Sequence, residues 1–557
     1  MMGRRHVLTN TLLLSAAVVL AAACGSDSPT EPVEPTPVAS VTVSPASSDL
    51  AVGATVSLSA VTEDADGNTL TGRTVTWSSS NASVATVSSS GLVTAVVEGD
   101  ATITATSEGV SGTASITVTP PPVATVTVSP DQALIATGST ADLTAETKLA
   151  SGDVVTGRDI AWSSSDEGVA TVDAGGTVTA VSSGTATITA TSEGQSGSAE
   201  VTVFLPFRQI ASGMGASCAL DDAGAAYCWG ANGFGEVGVG DLDEHLAPTA
   251  VAGGHTFTQL GVGFNFACGL DAAGSAWCWG TNASGTIGDG SSSDFQVTPA
   301  AVSGGHAFTE IAVGAGHTCG LTAAGDAWCW GYNFFGQLGD GTTTESNVPV
   351  QVIGGLTFSD LGLGSYHSCG VTSTGDAYCW GRGGAGQIGD GTTNDASAGP
   401  VAVSGGLTFE TIDGGQSHTC AWTSGGDADC WGNNDYGQLG DGTTTSQSAP
   451  VAVTGGLAFT EANSMGYLSC GTVAPGSTYC WGWNARGEIG DGTMTDATAP
   501  TEPSGGLGFV TVVAGFQTAC GLTADGVAYC WGGNDDGVIG DGTYEDRSTP
   551  TMVLPAE

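Results

Sequence analysis

The chain has 557 residues, a length that sets a prior of roughly three or four domains. Charged residues make up 11% of it, and 55 acidic side chains face 9 basic ones for a formal net charge of −46. A surface of that sign repels phosphate backbones and anionic headgroups, because little on it neutralises phosphate or releases counterions; nucleic acid is excluded as a partner. Beyond the first two dozen residues β-branched side chains alternate, Gly supplies 89 positions, and no segment shows an apolar 3.6-residue period. The chain is predicted to be all-β.

Residues 1–23 read as a secretory signal: basic Arg4-Arg5-His6, an apolar run over 12–20, then Ala21-Ala22-Ala23. The run is too short to cross a bilayer as a finished helix. Cys24, followed by Gly-Ser-Asp-Ser, resembles a bacterial lipoprotein cleavage site. The resemblance implies acylation of Cys24, a flexible tether over 24–37, and membrane contact through the lipid anchor only. Gly25 in place of Asp after the cysteine implies the outer membrane of a diderm. One departure is Ala21 where the family prefers Leu, with Leu20 one position early. Simple secretion after cleavage at Ala23 is the other reading.

A repeat of period 85 follows: Val38 corresponds to Val123 and Trp77 to Trp162, and A-T-I-T-A-T-S-E-G over 101–109 recurs over 186–194. About seven short alternating strands per copy, broken by Gly, Ser and Asp-Gly turns, predict two β-sandwiches with cores organised on Trp77 and Trp162. Their expected bounds are 38–119 and 123–203, joined by a stiff Pro120-Pro121-Pro122. The motifs V-T-V-S-P, W-S-S-S and V-A-T-V resemble the bacterial Ig-like group 2 domain of intimin- and invasin-type surface proteins, which implies a stalk. Asp64-Ala65-Asp66-Gly67-Asn68 opens like a calcium loop, but no Glu stands at its twelfth position, which favours an acidic hairpin turn.

From residue 204 to 557 the pattern changes. Trp229, Trp279, Trp330, Trp380, Trp431, Trp481 and Trp531 recur every 50 or 51 residues in a C-W-G motif, and a period near 50 with several strands per unit predicts a propeller. Each unit reads as strand, tight Gly turn, strand, short hairpin, strand, long Gly-Asp-Gly loop, and a fourth strand starting at Pro. The pieces H-T-C-G-L (317–321), Tyr332-Asn333 and G-Q-L-G-D-G (336–341) resemble the repeats of the regulator of chromosome condensation (RCC1) family, a seven-bladed propeller. The terminal segment from Pro550 reads as an orphan strand that closes the ring against the first unit.

The cysteines follow the repeat in pairs ten apart: Cys218 with Cys228, Cys268 with Cys278, Cys319 with Cys329, Cys369 with Cys379, Cys420 with Cys430, Cys470 with Cys480 and Cys520 with Cys530. Between Cys268 and Cys278 a three-residue turn ending in Gly274 places the two opposite each other, within disulfide reach. Seven disulfides are expected, in an oxidising compartment, leaving Cys24 over. C-x9-C inside one hairpin is wrong for zinc.

His317, His367 and His418 share one repeat position, held elsewhere by Ala216, Phe266, Leu468 and Thr518; a structural role is expected and no metal. The Asp of the repeated loop (Asp289, Asp340, Asp390, Asp441, Asp491, Asp541) is expected to bond nearby amides. No G-x-S-x-G, HExxH or P-loop is present; neither enzyme activity nor a cofactor is expected. Alternation of connections puts the first tight turn and the long loop of each unit on one face. There the variable positions are Tyr332, Arg382 and Trp483 after Trp-Gly; Phe234, Phe334, Phe335, Tyr436 and Arg486 in the long loops; and Phe264, Tyr366, Tyr467 and Phe516 in the tight turns. Aromatic and Arg residues are what recognition surfaces enrich. The expectation is a monomeric, envelope-anchored binding or adhesion protein with a protein or polysaccharide ligand. An inhibitor of an extracellular enzyme, as in a secreted β-lactamase inhibitory protein of RCC1-like fold, is the alternative, ahead of guanine-nucleotide exchange or a purely structural envelope role. If Cys24 is acylated, the exported chain partitions with membranes and Cys24→Ala moves it to the soluble fraction; fractionation and immunoblotting check this, and an already soluble parent overturns it.

Overall fold

The computed structural model describes residues 34–473 and 476–555; the leader and Cys24 lie outside them. Every regular element among the described residues is a strand. The chain divides into two compact units, residues 1–122 and 123–557.

Among the described residues of the first unit ten strands form three small sheets. The four-stranded sheet runs Ser47–Ala51, Val110–Thr119, Gly99–Ser107, Thr76–Ser79, with Val110–Thr119 parallel to Ser47–Ala51 and antiparallel to Gly99–Ser107. Ala101, Ile103 and Ala105 alternate inward on one strand and Ala114, Ile116 and Val118 on its neighbour, and with Val41, Val43 and Val93 they make the core. Alternate burial along a strand follows from its two-residue period. Residues 123–203 repeat this arrangement around Ile188, Val201 and Val203. Trp77 and Trp162 are only partly buried and pack against these cores, contrary to the sequence expectation, because their strands are the sheet edges. Each copy ties its entry strand to the same hub. Glu108 accepts from Val38 N–H and pairs with Arg73 at 2.6 Å; Glu193 accepts from Val123 N–H and pairs with Arg158 at 3.1 Å. At the acidic turn Asp64 Oδ1 accepts the amides of Asp66 and Asn68, and these bonds, the Asn68 amide first, hold its carboxyl below the usual range. This is a hairpin turn closing on itself.

From Phe207 on, seven four-stranded antiparallel sheets follow in strict chain order, called blades 1 to 7 here. Blade 1 is Phe207–Ser212, Ala216–Asp221, Ala226–Gly230 and His245–Ala250; blade 7 is Phe509–Ala514, Thr518–Thr523, Ala528–Gly532 and Arg547–Met552. Two sequence expectations change. Fourth strands start before their Pro, as Ser346–Gln351 does around Pro349. The terminal strand is no orphan: it pairs with Ala528–Gly532 of its own blade, Met552 opposite Tyr529. The first strand of each repeat is also the first of its sheet, so no sheet is shared between the two ends.

The ring closes without a shared sheet, through side chains and bonds between loops. Trp229 of blade 1 donates its indole N–H to the Val538 carbonyl of blade 7 at 2.9 Å, and the Phe207 amide donates to the Gly526 carbonyl. Phe207, Ile210 and Trp229 share a buried cluster with Leu522, Ile539 and Val553. The indole bond recurs at every interface: Trp279 to Glu236, Trp330 to Thr286, Trp380 to Gln337, Trp431 to Gln387, Trp481 to Gln438 and Trp531 to Glu488, all at 2.9–3.0 Å. Gly540, at φ +76°, lies flat on the Trp229 indole, where a Cβ would stand 2.6 Å from Nε1; its backbone conformation and the close approach both require glycine.

Each blade carries one disulfide between its second and third strands. Cys218 is bonded to Cys228, Cys268 to Cys278, Cys319 to Cys329 and Cys369 to Cys379 in blades 1 to 4. Cys420 is bonded to Cys430, Cys470 to Cys480 and Cys520 to Cys530 in blades 5 to 7. The two cysteines of each pair face each other directly in the strand register, as Cys218 faces Cys228 and Cys520 faces Cys530. Cα–Cα distances are 4.0–4.1 Å throughout. Gly274 takes φ +81° in the turn between Cys268 and Cys278, as the three-residue hairpin requires. Each bridge closes a short loop and contributes about 2–3 kcal/mol in the chain-entropy account.

The carbonyls receiving the indoles differ in one respect. Gln337 O also accepts the Ser368 hydroxyl at 2.8 Å, whereas blade 2 has Ala267 at that position, so Glu236 O relies on Trp279. Trp279→Phe therefore strands a buried carbonyl and is expected to cost about 1–2 kcal/mol more than Trp380→Phe; urea denaturation of the full chain, read by tryptophan fluorescence, measures the difference.

Candidate recognition face

The first strands of the blades line the central channel, and the turns after them ring its mouth. Amides of Met214, Phe264, Ala315, Ser365, Gln416 and Phe516 donate to turn carbonyls of the adjacent blade, as Phe264 does to Ala315 at 3.0 Å. The long loops stand outside this ring. In blade 3 Asn333 accepts the Leu338 amide at 2.9 Å and donates to the Thr344 carbonyl, pinning the loop; Asn232, Asn282, Asn434, Asn484 and Asn534 repeat the acceptance. The loop aspartates accept the amide two residues on, as Asp340 does from Thr342 at 2.9 Å.

On this frame the long loop of one blade meets the tight turn of the next. Phe335 lies 5.6 Å from Tyr366, Tyr332 lies 6.0 Å from the same ring, and Phe334 packs on Phe335 at 5.1 Å. The Arg382 guanidinium stands over Phe335 and Tyr366, 5.3 and 5.7 Å from their centroids. Tyr436, Tyr467 and Trp483 form a second triad at 5.1–6.2 Å. Phe264 and Phe516 meet edge-on at 4.8 Å; Met214, bridged to Phe264 through the backbone, is an exposed side chain at the equivalent turn position, which a search for aromatics and Arg does not select. Among the candidate residues Phe334, 66% exposed, and Phe234, 46% exposed, reach furthest into solvent; Phe234 makes no ring contact with a described residue. Burial, and secondarily the neighbouring Tyr366 and Tyr436, keep the hydroxyls of Tyr332 and Tyr467 protonated above their ordinary range. Arg486 differs from the other candidates. It is committed to Asp535 and Asp546, each at 2.6 Å, and to Gln517, and ties blade 6 to blade 7. Phe264, Tyr332 and Tyr366 also wall a crevice of about 340 Å³ with Thr281, Ser284 and Thr286.

A family model described as the RCC1-like domain matches residues 209–520, more than half of the chain. The chain belongs to the RCC1-like domain family. The RCC1 repeat model matches 509–538, and the bacterial Ig-like domain (group 2) matches 37–118 and 122–203. Among solved structures, Prp20p from Saccharomyces cerevisiae is 21% identical, with 60% of this chain and 87% of that one covered at a TM-score of 0.55. Human WBSCR16 is 21% identical, with 59% and 94% covered at 0.54. At that identity the likeness is one of fold.

Two buried polar systems run through the RCC1-like propeller. His317, His367 and His418 are fully buried, with Nε2 2.7–2.9 Å from Ser368, Thr419 and Ser469 of the following blade. Those hydroxyls give their own protons to the carbonyls of Gln337, Gln387 and Gln438, so each histidine donates from Nε2. Burial drives their pKa down to about 3, and Nδ1 is left without a partner. Among the described residues no group of three or more His, Cys, Asp or Glu is placed to hold a metal ion.

The second system was not foreseen. In blades 1 to 4 the third residue of the first strand reaches into the channel, a cavity of about 440 Å³, and accepts the next blade's amide, as Gln209 does from Leu260. Gln259 does so from Ile311, Glu310 from Leu361 and Asp360 from Ile412, while Asp413, two residues further along its strand, does so from Ser464. Glutamine can fill this role, and where carboxylates do, burial raises them: Asp360 to about 6, Asp413 to about 7 and Glu310 to about 8, the last two also repelled by Asp360. Under the long loops, Glu236 and Glu488 accept the amides of Phe234 and Arg486 at 2.8 Å, and burial raises both to about 7.

A carboxyl that binds its proton more tightly when folded loses stability as pH rises from its ordinary value through its folded one; a histidine held neutral loses it as pH falls below its ordinary 6.5. The propeller is therefore expected to be more stable near pH 6 than near pH 8.5. Gln337, Gln387 and Gln438 make the same loop bond as Glu236 and Glu488. Glu236→Gln and Glu488→Gln should each stabilise by about 2–3 kcal/mol at alkaline pH and by little near pH 5, as denaturation midpoints against pH will show.

Proposed function

We propose that this chain is an exported surface protein that acts by binding rather than catalysis: a lipid-anchored tether and two Ig-like spacers present the RCC1-like propeller, whose loop face recognises a protein partner. The observation that carries this reading is the pairing of aromatic side chains between loops of successive blades, on a scaffold whose other loop positions repeat. Paired rings already in contact lose little rotamer freedom on docking, so their area converts to affinity. The buried histidines have the wrong polarity for activating a nucleophile, since each gives a proton to its hydroxyl instead of taking one. Prp20p, a protein of this fold, has binding properties toward Gsp1p and histones, which supports protein recognition as what such a head does. The disulfides fit service outside a reducing cytosol.

The test replaces Tyr332, Phe335, Tyr436 and Trp483 singly by Ala in the full chain, measuring binding to a partner recovered from envelope and extracellular fractions alongside the denaturation midpoint. A loss of roughly tenfold or more in affinity at two or more sites, with midpoints held, is expected for a recognition face. Collapse of the midpoint in all four would make these packing residues and remove the proposal.

A further inference from the structure

Arg382 is the unusual cation of the propeller. Arg208 donates to the carbonyls of Asp221 and Phe257, Arg486 is held by two aspartates, and Arg547 by Asp541 and Glu545. The Arg382 guanidinium makes no hydrogen bond or ion pair with a described residue and rests on the rings of Phe335 and Tyr366. In a chain with 55 acidic side chains against 9 Lys and Arg, leaving a guanidinium without a carboxylate is not the default. Stacking holds the cation in place and keeps its donors available.

The surrounding loop is cleared of side chains. Blade 4 has Gly383 where the other blades carry the pinning Asn, and the Asn394 carbonyl occupies the space a Cβ would need. Gly384 faces open space, and Ala385 stands where blades 3 and 5 carry Phe335 and Tyr436. Arg382 itself takes the position of Tyr332 and Trp483. Tyr366, one of its two stacking rings, is also a wall of the crevice shared with Phe264 and Tyr332. An apolar cavity and an unpaired cation thus share one ring.

We propose that this is a two-part anchor site for a peptide segment of the partner protein: an apolar side chain fills the crevice, and a carboxylate beside it, from Asp, Glu or a C-terminus, forms a forked pair with Arg382. The proposal rests on the reading of the loop face as a protein-recognition surface. Charge selects the ligand class. A net charge of −46 repels an acidic polysaccharide along its length, whereas one carboxylate on an otherwise neutral or basic partner meets the free guanidinium of Arg382 and is welcomed elsewhere by the acidic surface.

The full-length, disulfide-intact protein would be used to select from a random linear peptide display library, and the enriched peptides titrated against Arg382→Gln, Arg382→Lys, Phe264→Ala and Tyr436→Ala. Enriched sequences should place Asp, Glu or a free C-terminus within two residues of Phe, Tyr, Trp or Leu. Affinity should fall roughly tenfold in Arg382→Gln, less in Arg382→Lys, and should weaken with salt, at unchanged denaturation midpoints. Winners without a carboxylate, indifference to Arg382→Gln, an empty selection, or preferential binding of a uronic-acid oligosaccharide would each overturn the site. If partner binding falls with Tyr436→Ala but not with Arg382→Gln, the face reading stands and this anchor falls; if neither matters, both fall.

Discussion

One hydrogen bond organises the propeller: the indole N–H of each C-W-G tryptophan to a backbone carbonyl in the long loop of the preceding blade. It crosses every blade interface, including the one that joins the last blade to the first. An indole that large can be fully buried only if its single polar atom is satisfied, and the loop carbonyl can be buried only if something donates to it. Each need answers the other. The glycine two residues after that carbonyl must then lie flat on the ring, which accounts for the loop's recurring Gly-Asp-Gly. The Asn and Asp side chains that pin the loop hold the carbonyl in place.

Around that bond the remaining polar groups are arranged with little slack. In blades 4, 5 and 6 a Ser or Thr hydroxyl shares the carbonyl with the indole and takes a proton from a histidine of the blade before. The channel side chains perform the same kind of bridging at the inner rim. Using carboxylates there, and glutamates under two loops, loads the ring with groups that are stable when protonated and strained when charged. Interface hydrogen bonding and pH response are thus two consequences of one packing problem.

The disulfides act within blades and the indole bonds between them, so stapled strand pairs are joined by side-chain packing and by turn-to-turn backbone bonds. A frame of that kind frees the outer loops. With the backbone held by the Asn strut and the Gly turn, side chains at the intervening positions vary without endangering the ring, and aromatic residues gather there in pairs and triads. Blade 4 goes further by dispensing with the strut and leaving small residues beside Arg382.

Much of this was legible from the sequence, and the limit is physical. Strand alternation, the 85- and 50-residue repeats and C-x9-C are local patterns, so the all-β class, the paired sandwiches and the facing cysteines could be read directly. The aspartate turns were likewise local. What failed depended on which strand neighbours which. A cyclic repeat does not mark where a sheet begins, so the terminal strand was misassigned to ring closure; and Trp77 and Trp162 looked central until the sheet order put them on edges. At the candidate site, residue types and the shared face followed from alternation of connections. That Arg486 is bound by carboxylates while Arg382 is free, that Met214 belongs with Phe264, and that Glu310, Asp360 and Asp413 converge on one channel are facts about how different blades meet. Sequence by itself determined the units and their internal bonds, because those arise between residues a few positions apart; only the closing of seven sheets into a ring decided which side chains meet, because that brings distant loops together across a low-dielectric interface.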